Sequence, residues 1–322
     1  MPNILLTNKY SNRVLEEVRK IVPEGFNFDT LEKLTKKELI QKAAGSDYFL
    51  ASGRLYIDKE VIESAPKLKM IQRTGVGTDT IDILCLKQKG IPVYVNPGIN
   101  SSSVAEHAVL LMLALLRKLV MVDTSVKSGK WNKNDIGFEC SSLNGKVIGL
   151  IGIGNIGKKV AQIVRSFGVT VLYYNPYKLS NKIENELNVQ FCDFKKMISE
   201  VDILSLHCPL TPETKGIIGT DELKLMKKSA VLINTARGPL VDQDALIKAL
   251  NQGMIKGAGL DVYKKEPPKS DSPLLKLDNV ILTPHIAGLT METFCKMITN
   301  AFENIKLFEM GQLGLIENKK IK

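Results

Sequence analysis

Val147-Ile148-Gly149-Leu150-Ile151-Gly152-Ile153-Gly154-Asn155-Ile156-Gly157 runs from an apolar stretch directly into three spaced glycines, and a helix-like pattern follows to about Phe167. A short apolar run bounded by glycine reads as a buried strand. Between a strand and a helix the glycines do different things. The first makes the tight turn, the second lets backbone approach a pyrophosphate, and the third lets helix pack on strand. The phosphates then lie at the positive N-terminus of the helix. Alone, Gly-x-Gly-x-x-Gly is a weak signal, but with this strand before it and this helix after it the stretch predicts a dinucleotide-binding turn. A domain of that kind normally opens with the turn. Roughly 140 residues precede it here, so something else must occupy the N-terminal part.

At 322 residues the chain exceeds the usual limit of a single core, and two domains are expected. Hydrophobic residues make up 44% and charged residues 24%, a globular composition. The net charge of +10 would favour anionic small molecules. Its lysines are scattered as pairs (Lys36-Lys37, Lys158-Lys159, Lys195-Lys196, Lys227-Lys228) without an arginine-rich arm or interleaved aromatics, so they read as solvated surface and no nucleic-acid partner is expected. Five cysteines (Cys85, Cys140, Cys192, Cys208, Cys295) form no CxxC pair, which speaks against a disulfide framework and a zinc site and for a reducing, cytoplasmic setting. Asn3 to Thr7 reads as a first strand rather than a secretory signal. The most apolar segment, Val104 to Val122, has an unbroken run only from Ala108 to Leu116, far too short for a bilayer, so a buried helix and no membrane partner are expected.

Before residue 100, apolar runs (Ile4-Leu6, Tyr48-Ala51, Leu68-Ile71, Val93-Val95) alternate with helical patterns such as Asn12 to Val22, which predicts βα units and a parallel sheet. A new helix is expected around Ser101-Ser102-Ser103, with Ser103 and Glu106 spaced as a capping box. From Val147 onward six strands are predicted, at 147–152, 170–174, 202–207, 230–234, 257–261 and 279–283, the number that two mononucleotide-binding halves require. A last helical pattern runs from Met291 to Phe308, and the Lys-rich tail from Asn318 is expected to be frayed.

Three histidines are available for chemistry. His285, in Thr283-Pro284-His285-Ile286-Ala287-Gly288, follows a predicted strand, and parallel strands aim their carboxyl ends at the ligand crevice. An imidazole there is a candidate general acid, because it titrates near working pH and a carboxylate neighbour favours its charged form. Glu266, in Lys265-Glu266-Pro267-Pro268, is the candidate neighbour, and Arg237, in Asn234-Thr235-Ala236-Arg237-Gly238, offers a planar fork suited to a carboxylate. Singly, each is as readily a solvated loop residue; together, each at a strand exit of a nucleotide-binding sheet, they form a constellation. His107 reads as packing in the apolar helix, and His207, before Cys208-Pro209, as lining the cofactor edge.

With these motifs the sequence resembles the D-isomer-specific 2-hydroxyacid dehydrogenases over nearly its whole length. The resemblance is carried by Arg73-Thr74-Gly75-Val76-Gly77-Thr78-Asp79, Asn100 to Glu106, Gly152 to Gly157, Asn234 to Gly238, Leu260-Asp261-Val262-Tyr263, Glu266-Pro267 and Pro284 to Gly288. It implies an α/β protein in which a Rossmann dinucleotide-binding domain, residues 100–288, is inserted into a flavodoxin-like substrate-binding domain, residues 1–99 plus 289–322. Arg237, Glu266 and His285 would be the catalytic set. Gly152, Gly154, Asn155, Ile156, Gly157, Asn175, His207, Pro209, Thr235, Ala236, Asp261 and Gly288 would meet the cofactor, and Arg73, Thr74, Gly75, Val76 and Gly77 the substrate. The implied reaction is hydride transfer between NAD and a D-2-hydroxy acid or its 2-oxo acid. His285 would protonate the carbonyl oxygen, Glu266 would keep it charged, and Arg237 would hold the substrate carboxylate. Closure of the two domains about hinges near 99–101 and 287–290 would exclude water. No metal is implied, and relatives pair through the long helix after Ser101, which implies a homodimer.

Three points depart from the pattern or stay open. The acidic residue that usually holds the adenosine ribose is replaced by Asn175, eighteen residues after Gly157, and Lys178 is close by in sequence, so NADP stands beside NAD. Arg73 is similar to the phosphoglycerate dehydrogenase branch, where a cation can meet a distal phosphate. Ile286 to Thr290 is closer to the hydroxypyruvate and glyoxylate reductase pattern, and the C-terminal regulatory domain of the former branch is expected to be missing. Glu266 argues against the formate branch, which carries glutamine there. The alternative of another class is a corepressor-like, NAD-responsive binding protein without turnover.

Overall fold

The computed structural model describes residues 1–53 and 55–321, and the chain divides into two compact units, Met1–Asn100 with Thr290–Lys322, and Ser101–Leu289. Lys322 itself lies outside the described residues.

In the first unit the strands β1 (Asn3–Leu6), β2 (Asn27–Thr30), β3 (Tyr48–Ala51), β4 (Met70–Arg73) and β5 (Val93–Tyr94) form a parallel sheet in the order β2-β1-β3-β4-β5. That is the flavodoxin order. Side chains alternate across a strand, so Leu5, Phe49 and Ile71 face one layer with Leu39, Val61 and Leu86, while Ile4, Leu6, Tyr48, Leu50 and Met70 face the other. The terminal helix, Met291–Glu309, covers this second face with Phe294, Ile298, Ala301, Phe302 and Ile305, one stripe of a 3.6-residue period. Two expectations need correction. Strand β2 (Asn-Phe-Asp-Thr) went unpredicted because it is a polar edge strand with one buried residue. The tail from Asn318 is not frayed. Ile321 N–H donates to the Val93 carbonyl at 2.8 Å, Val95 N–H to the Lys319 carbonyl at 2.9 Å, and Lys319 Nζ reaches the buried Asn304 at 2.7 Å, so the tail adds an antiparallel bridge to β5.

After α1 (Asn12–Lys20), α2 (Lys36–Ala43), α3 (Lys59–Glu63) and α4 (Ile83–Gln88) of the first unit, the second unit holds helices α5 (Ser101–Leu116), α6 (Leu119–Lys127), α7 (Lys133–Gly137), α8 (Asn155–Val164), α9 (Asn181–Leu187), α10 (Phe194–Glu200), α11 (Thr220–Leu225) and α12 (Gln243–Asn251). The strands are β6 (Val147–Ile151), β7 (Thr170–Tyr174), β8 (Val189–Phe191), β9 (Ile203–Leu206), β10 (Val231–Asn234), β11 (Gly257–Leu260) and β12 (Val280–Leu282). Among the described residues they make one parallel sheet in the order β12-β11-β10-β9-β6-β7-β8, the doubly wound order with a seventh strand beyond β11. The six predicted strands therefore become seven. The missed one, β8, is a three-residue edge strand with one buried side chain.

Helix α5 starts at Ser101, so Ser103 and Glu106 lie inside its first turns and not at a capping box. Nor does one buried helix continue to Val122: the chain turns at Lys118 (φ +50), and α6 has no buried residue, with Leu119 52% and Val120 58% exposed. The apolar run thus splits into a core helix and a surface helix. The β6-to-α8 turn, the exits of β9 to β12 and the N-terminus of α8 all sit at the carboxyl edge of the sheet, where ligands of such folds bind.

Candidate active site

Gly152 ends β6 at φ +94, and a Cβ there would lie 2.6 Å from the Cys208 amide nitrogen. A Cβ on Gly157 would lie 2.3 Å from the Gly152 carbonyl oxygen. Both positions are closed to any side chain by the protein itself. Gly154, at the head of α8, is different: a Cβ there meets nothing within 4 Å. No packing demand explains a glycine at that point, whereas a pyrophosphate drawn to the helix N-terminus does. Asn155 is exposed beside it, and Ile156 turns into the core behind β6.

The two neighbouring strand exits each carry an orphaned polar atom. Register pairs Leu206 of β9 with Asn234 of β10, so His207 and Thr235 follow side by side. His207 Nε2 lies 2.9 Å from Ser205 Oγ, while its buried Nδ1 and the buried Thr235 Oγ1 have no hydrogen-bond partner among the described residues. Burial pushes the His207 imidazole down to about 4 and the Cys208 thiol up to about 11, so both are neutral at working pH. Buried polar atoms without partners are rare. Two of them beside an open glycine at a helix head fit a polar ligand of dinucleotide size. Pro209 and Ala236 follow these exits, the first exposed and the second half-buried. At the end of β7, Asn175 is half-buried and donates to the Tyr177 carbonyl at 3.2 Å; Lys178 is held 3.4 Å from Glu184, which also accepts from Tyr173 OH at 2.8 Å.

His285 leaves β12 in the left-handed region, φ +58, and places Nδ1 2.7 Å from Glu266 Oε2. The other oxygen of Glu266 accepts the Tyr263 N–H at 3.1 Å, which aims the carboxylate. The imidazole remains open to solvent, with 42% of the side chain accessible against 18% for Glu266. Glu266 thus presents a charge to one ring nitrogen and leaves Nε2 for a substrate. Arg237 follows β10 in the turn closed by Gly238, where a Cβ would lie 1.9 Å from the Tyr263 carbonyl oxygen, so this glycine lets the two loops touch. The turn is tied further: Asn234 Nδ2 donates to the Arg237 carbonyl at 2.9 Å, Asn234 Oδ1 accepts the Ala236 N–H at 3.1 Å, and the Asp261 N–H donates to the Asn234 carbonyl at 3.0 Å.

Asp261, placed at the cofactor by the sequence reading, is 0% exposed. Its Oδ1 accepts from Thr283 Oγ1 at 2.5 Å and from Ile286 N–H at 2.9 Å, and its Oδ2 from Ala287 N–H at 2.8 Å. Tyr263 OH, its ionisation pushed up to about 12 by burial, donates to the Thr283 carbonyl at 2.8 Å. His107 does more than pack: Nε2 lies 3.0 Å from Thr283 Oγ1 and 3.8 Å from Asp261 Oδ1. Thr283 and Tyr263 were not singled out from sequence, although each neighbours a motif residue. Gly288 closes this loop, half-buried.

In the first unit, the loop after β4 is organised by Arg73. Its Nε donates to the Gly77 carbonyl at 2.7 Å, and both terminal nitrogens lie 3.4 Å from the Gly53 carbonyl. Thr74 is buried with its N–H on the Ala51 carbonyl at 3.0 Å, and the Gly75 carbonyl accepts the Asn96 N–H at 3.0 Å. Gly75 has nothing within 4 Å of a built Cβ, and Val76 is 46% exposed. Among the described residues, no group of three or more His, Cys, Asp and Glu side chains could hold a metal, and no helix is long and apolar enough to cross a membrane.

A nucleotide-binding sheet whose strand exits carry an Arg, a Glu and a Glu-paired His defines a class of nicotinamide-dependent oxidoreductase. Residues 109–287 match the description "D-isomer specific 2-hydroxyacid dehydrogenase, NAD binding domain". The chain belongs to the D-isomer-specific 2-hydroxyacid dehydrogenase family. It is 40% identical over 290 residues to D-3-phosphoglycerate dehydrogenase of Archaeoglobus fulgidus, covering 90% of this chain and 54% of that protein, so it spans about half the length of that relative. To glyoxylate reductase of Korarchaeum cryptofilum it is 36% identical over 331 residues, covering 100% of this chain and 97% of the relative. Among solved structures, an acyclic imino acid reductase in complex with NADPH and D-Arg superposes with a TM-score of 0.84 at 31% identity, covering 99% of this chain and 100% of that one. The matched domain is described as NAD-binding, so the coenzyme is of the nicotinamide dinucleotide type.

Proposed function

We propose that this protein reduces a small 2-oxo acid to the D-2-hydroxy acid, with glyoxylate or hydroxypyruvate ahead of phosphohydroxypyruvate. The observation that carries the reading is the His285–Glu266 pair at 2.7 Å, with the imidazole 42% accessible and set at the exits of a dinucleotide-binding sheet. Gly154 and Asn155, at the helix head that Gly152 and Gly157 allow to pack, would hold the pyrophosphate, Asn175 the adenosine ribose, and His207, Pro209, Thr235 and Ala236 the nicotinamide half. A bound reduced nicotinamide supplies the hydride for the carbonyl carbon. His285 Nε2 donates the proton to the carbonyl oxygen. Glu266 holds Nδ1, stabilises the imidazolium and fixes the ring plane. Arg237 pairs with the substrate carboxylate through its planar fork and polarises the adjacent carbonyl.

Substrate choice rests on Arg73. Its guanidinium is turned onto the Gly77 and Gly53 carbonyls of its own unit, so it shapes the loop in place of waiting for a distal phosphate. Asn175 removes the carboxylate that would repel a 2′-phosphate, which supports use of NADPH beside NADH. Initial rates with glyoxylate, hydroxypyruvate, pyruvate and phosphohydroxypyruvate, each with NADH and NADPH, test the reading. One of the first two acids is expected to have the highest kcat/KM; a preference for the phosphorylated acid would reverse the Arg73 argument. Coenzyme binding without turnover of any 2-oxo acid would instead favour an NAD-responsive binding protein.

The proposal extends to a homodimer. Along the segment from α5 to just past α7, Leu110, Leu119, Val126 and Trp131 are exposed and line a groove of about 680 Å³, and Val120 and Phe138 are exposed on the same segment. Trp131 is 79% and Phe138 89% exposed, and apolar residues clustered in this way mark a contact surface. A second copy of the chain is the occupant proposed, on the reading that relatives pair through this helix. Five cysteines without a disulfide fit a reducing cytoplasm, the compartment proposed.

A further inference from the structure

His285, the proposed acid, sits at φ +58, a left-handed conformation that disfavours a non-glycine residue and persists only where the surroundings hold it. What holds it is visible on both sides. Ahead of it, Thr283 gives its carbonyl to Tyr263 OH and its hydroxyl to Asp261; behind it, the N–H groups of Ile286 and Ala287 go to the two oxygens of Asp261. Asp261 is therefore a buried clamp across the five residues 283–287.

The clamp has an outer link. A carboxylate has no proton to give, so in the 2.5 Å contact the Thr283 hydroxyl is the donor. That hydroxyl has one hydrogen, so toward His107 Nε2, 3.0 Å away, it can only accept. The donor arithmetic assigns the proton of His107 to Nε2. The result is a directed chain, His107 Nε2–H to Thr283 Oγ1–H to Asp261 Oδ1, that fixes the threonine rotor and completes the donor set of a wholly buried carboxylate. Successive hydrogen bonds of this kind polarise one another in a low dielectric.

We propose that His107 is a positioning residue for catalysis. From helix α5 it acts through Thr283 and Asp261 to hold the loop that aims His285, and does not touch the reacting atoms. The inference rests on the reading of His285 as the proton donor. It predicts a loss in kcat with coenzyme affinity kept, and it predicts that any side chain able to donate from the Nε2 position restores function.

The test compares His107→Leu, His107→Gln, Thr283→Val, Thr283→Ser and His285→Asn for kcat and KM with the best 2-oxo acid, alongside Tm and NADH affinity. His107→Leu and Thr283→Val are expected to lower kcat about tenfold, the scale of a misplaced catalytic group, with NADH affinity within about twofold of the parent. His107→Gln and Thr283→Ser, which restore the donor and the hydroxyl, are expected to recover most of it. Full kcat in His107→Leu, or equal losses in His107→Leu and His107→Gln, would overturn the proposal. If His107→Leu does not fold, the Thr283 pair decides alone: equal losses in Val and Ser would sink it. An active His285→Asn would instead remove the reading of His285 on which all of this stands.

Discussion

At the scale of the residue, the site depends on one short contact. Glu266 lies 2.7 Å from His285 Nδ1 and is itself aimed by the Tyr263 amide, and the proposal of His285 as proton donor rests on that contact. Replacing the carboxylate by an amide of the same shape removes the charge and leaves the packing. Glu266→Gln is expected to lower kcat for reduction about tenfold, the scale of a misplaced catalytic group, with NADH affinity kept; an unchanged kcat would break the pairing argument. The contact between Glu266 and His285 was legible in the sequence as a candidate pairing, because each residue follows a strand in a recognisable motif. The clamp beneath them was not: His107 and Thr283 are 176 residues apart, and a histidine within an apolar helix carries no local sign that a threonine hydroxyl is waiting for it. Asp261 was found in its motif but read toward the cofactor, and only burial of both oxygens shows what it holds.

At the scale of the element, the glycine turn separates folding from binding. Gly152 and Gly157 are required by protein atoms that a Cβ would strike, whereas Gly154 faces open space. Gly152→Ala, at φ +94 and 2.6 Å from backbone, is therefore expected to lose stability by more than about 1 kcal/mol, seen as a lower Tm. Gly154→Ala is expected to keep its Tm and weaken NADH binding; parallel losses in the two variants would mean that the turn serves packing alone. Elements with buried apolar strands could be read from sequence, as β3 (Tyr-Phe-Leu-Ala) shows with four buried residues. The two missed strands, β2 and β8, lie at sheet edges, where one side lacks a neighbour and the sequence need not be apolar. The tail was misjudged for a related reason. Its lysines suggest solvent, but its backbone pairs with β5, and backbone pairing leaves no trace in side-chain character.

At the scale of the whole molecule, the two sheets have the flavodoxin and doubly wound orders, and the chain leaves the first unit at Asn100 and returns at Thr290. The apolar surface of α6 and α7 belongs to this scale, because nothing within its own unit covers Trp131 or Phe138. Light scattering on the purified protein is expected to give the mass of two chains, and Phe138→Lys with Leu119→Lys is expected to shift it toward one; a monomeric parent would leave that surface for another partner. Catalysis is the property that the whole arrangement exists to explain. The most direct measurement is the single-turnover rate of 2-oxo acid reduction by His285→Asn beside the parent protein, with NADH binding followed in the same samples. The account predicts that the variant binds NADH as the parent does and reduces the acid at least about 100-fold more slowly, the usual contribution of a positioned general acid. Equal rates in the two proteins would contradict it.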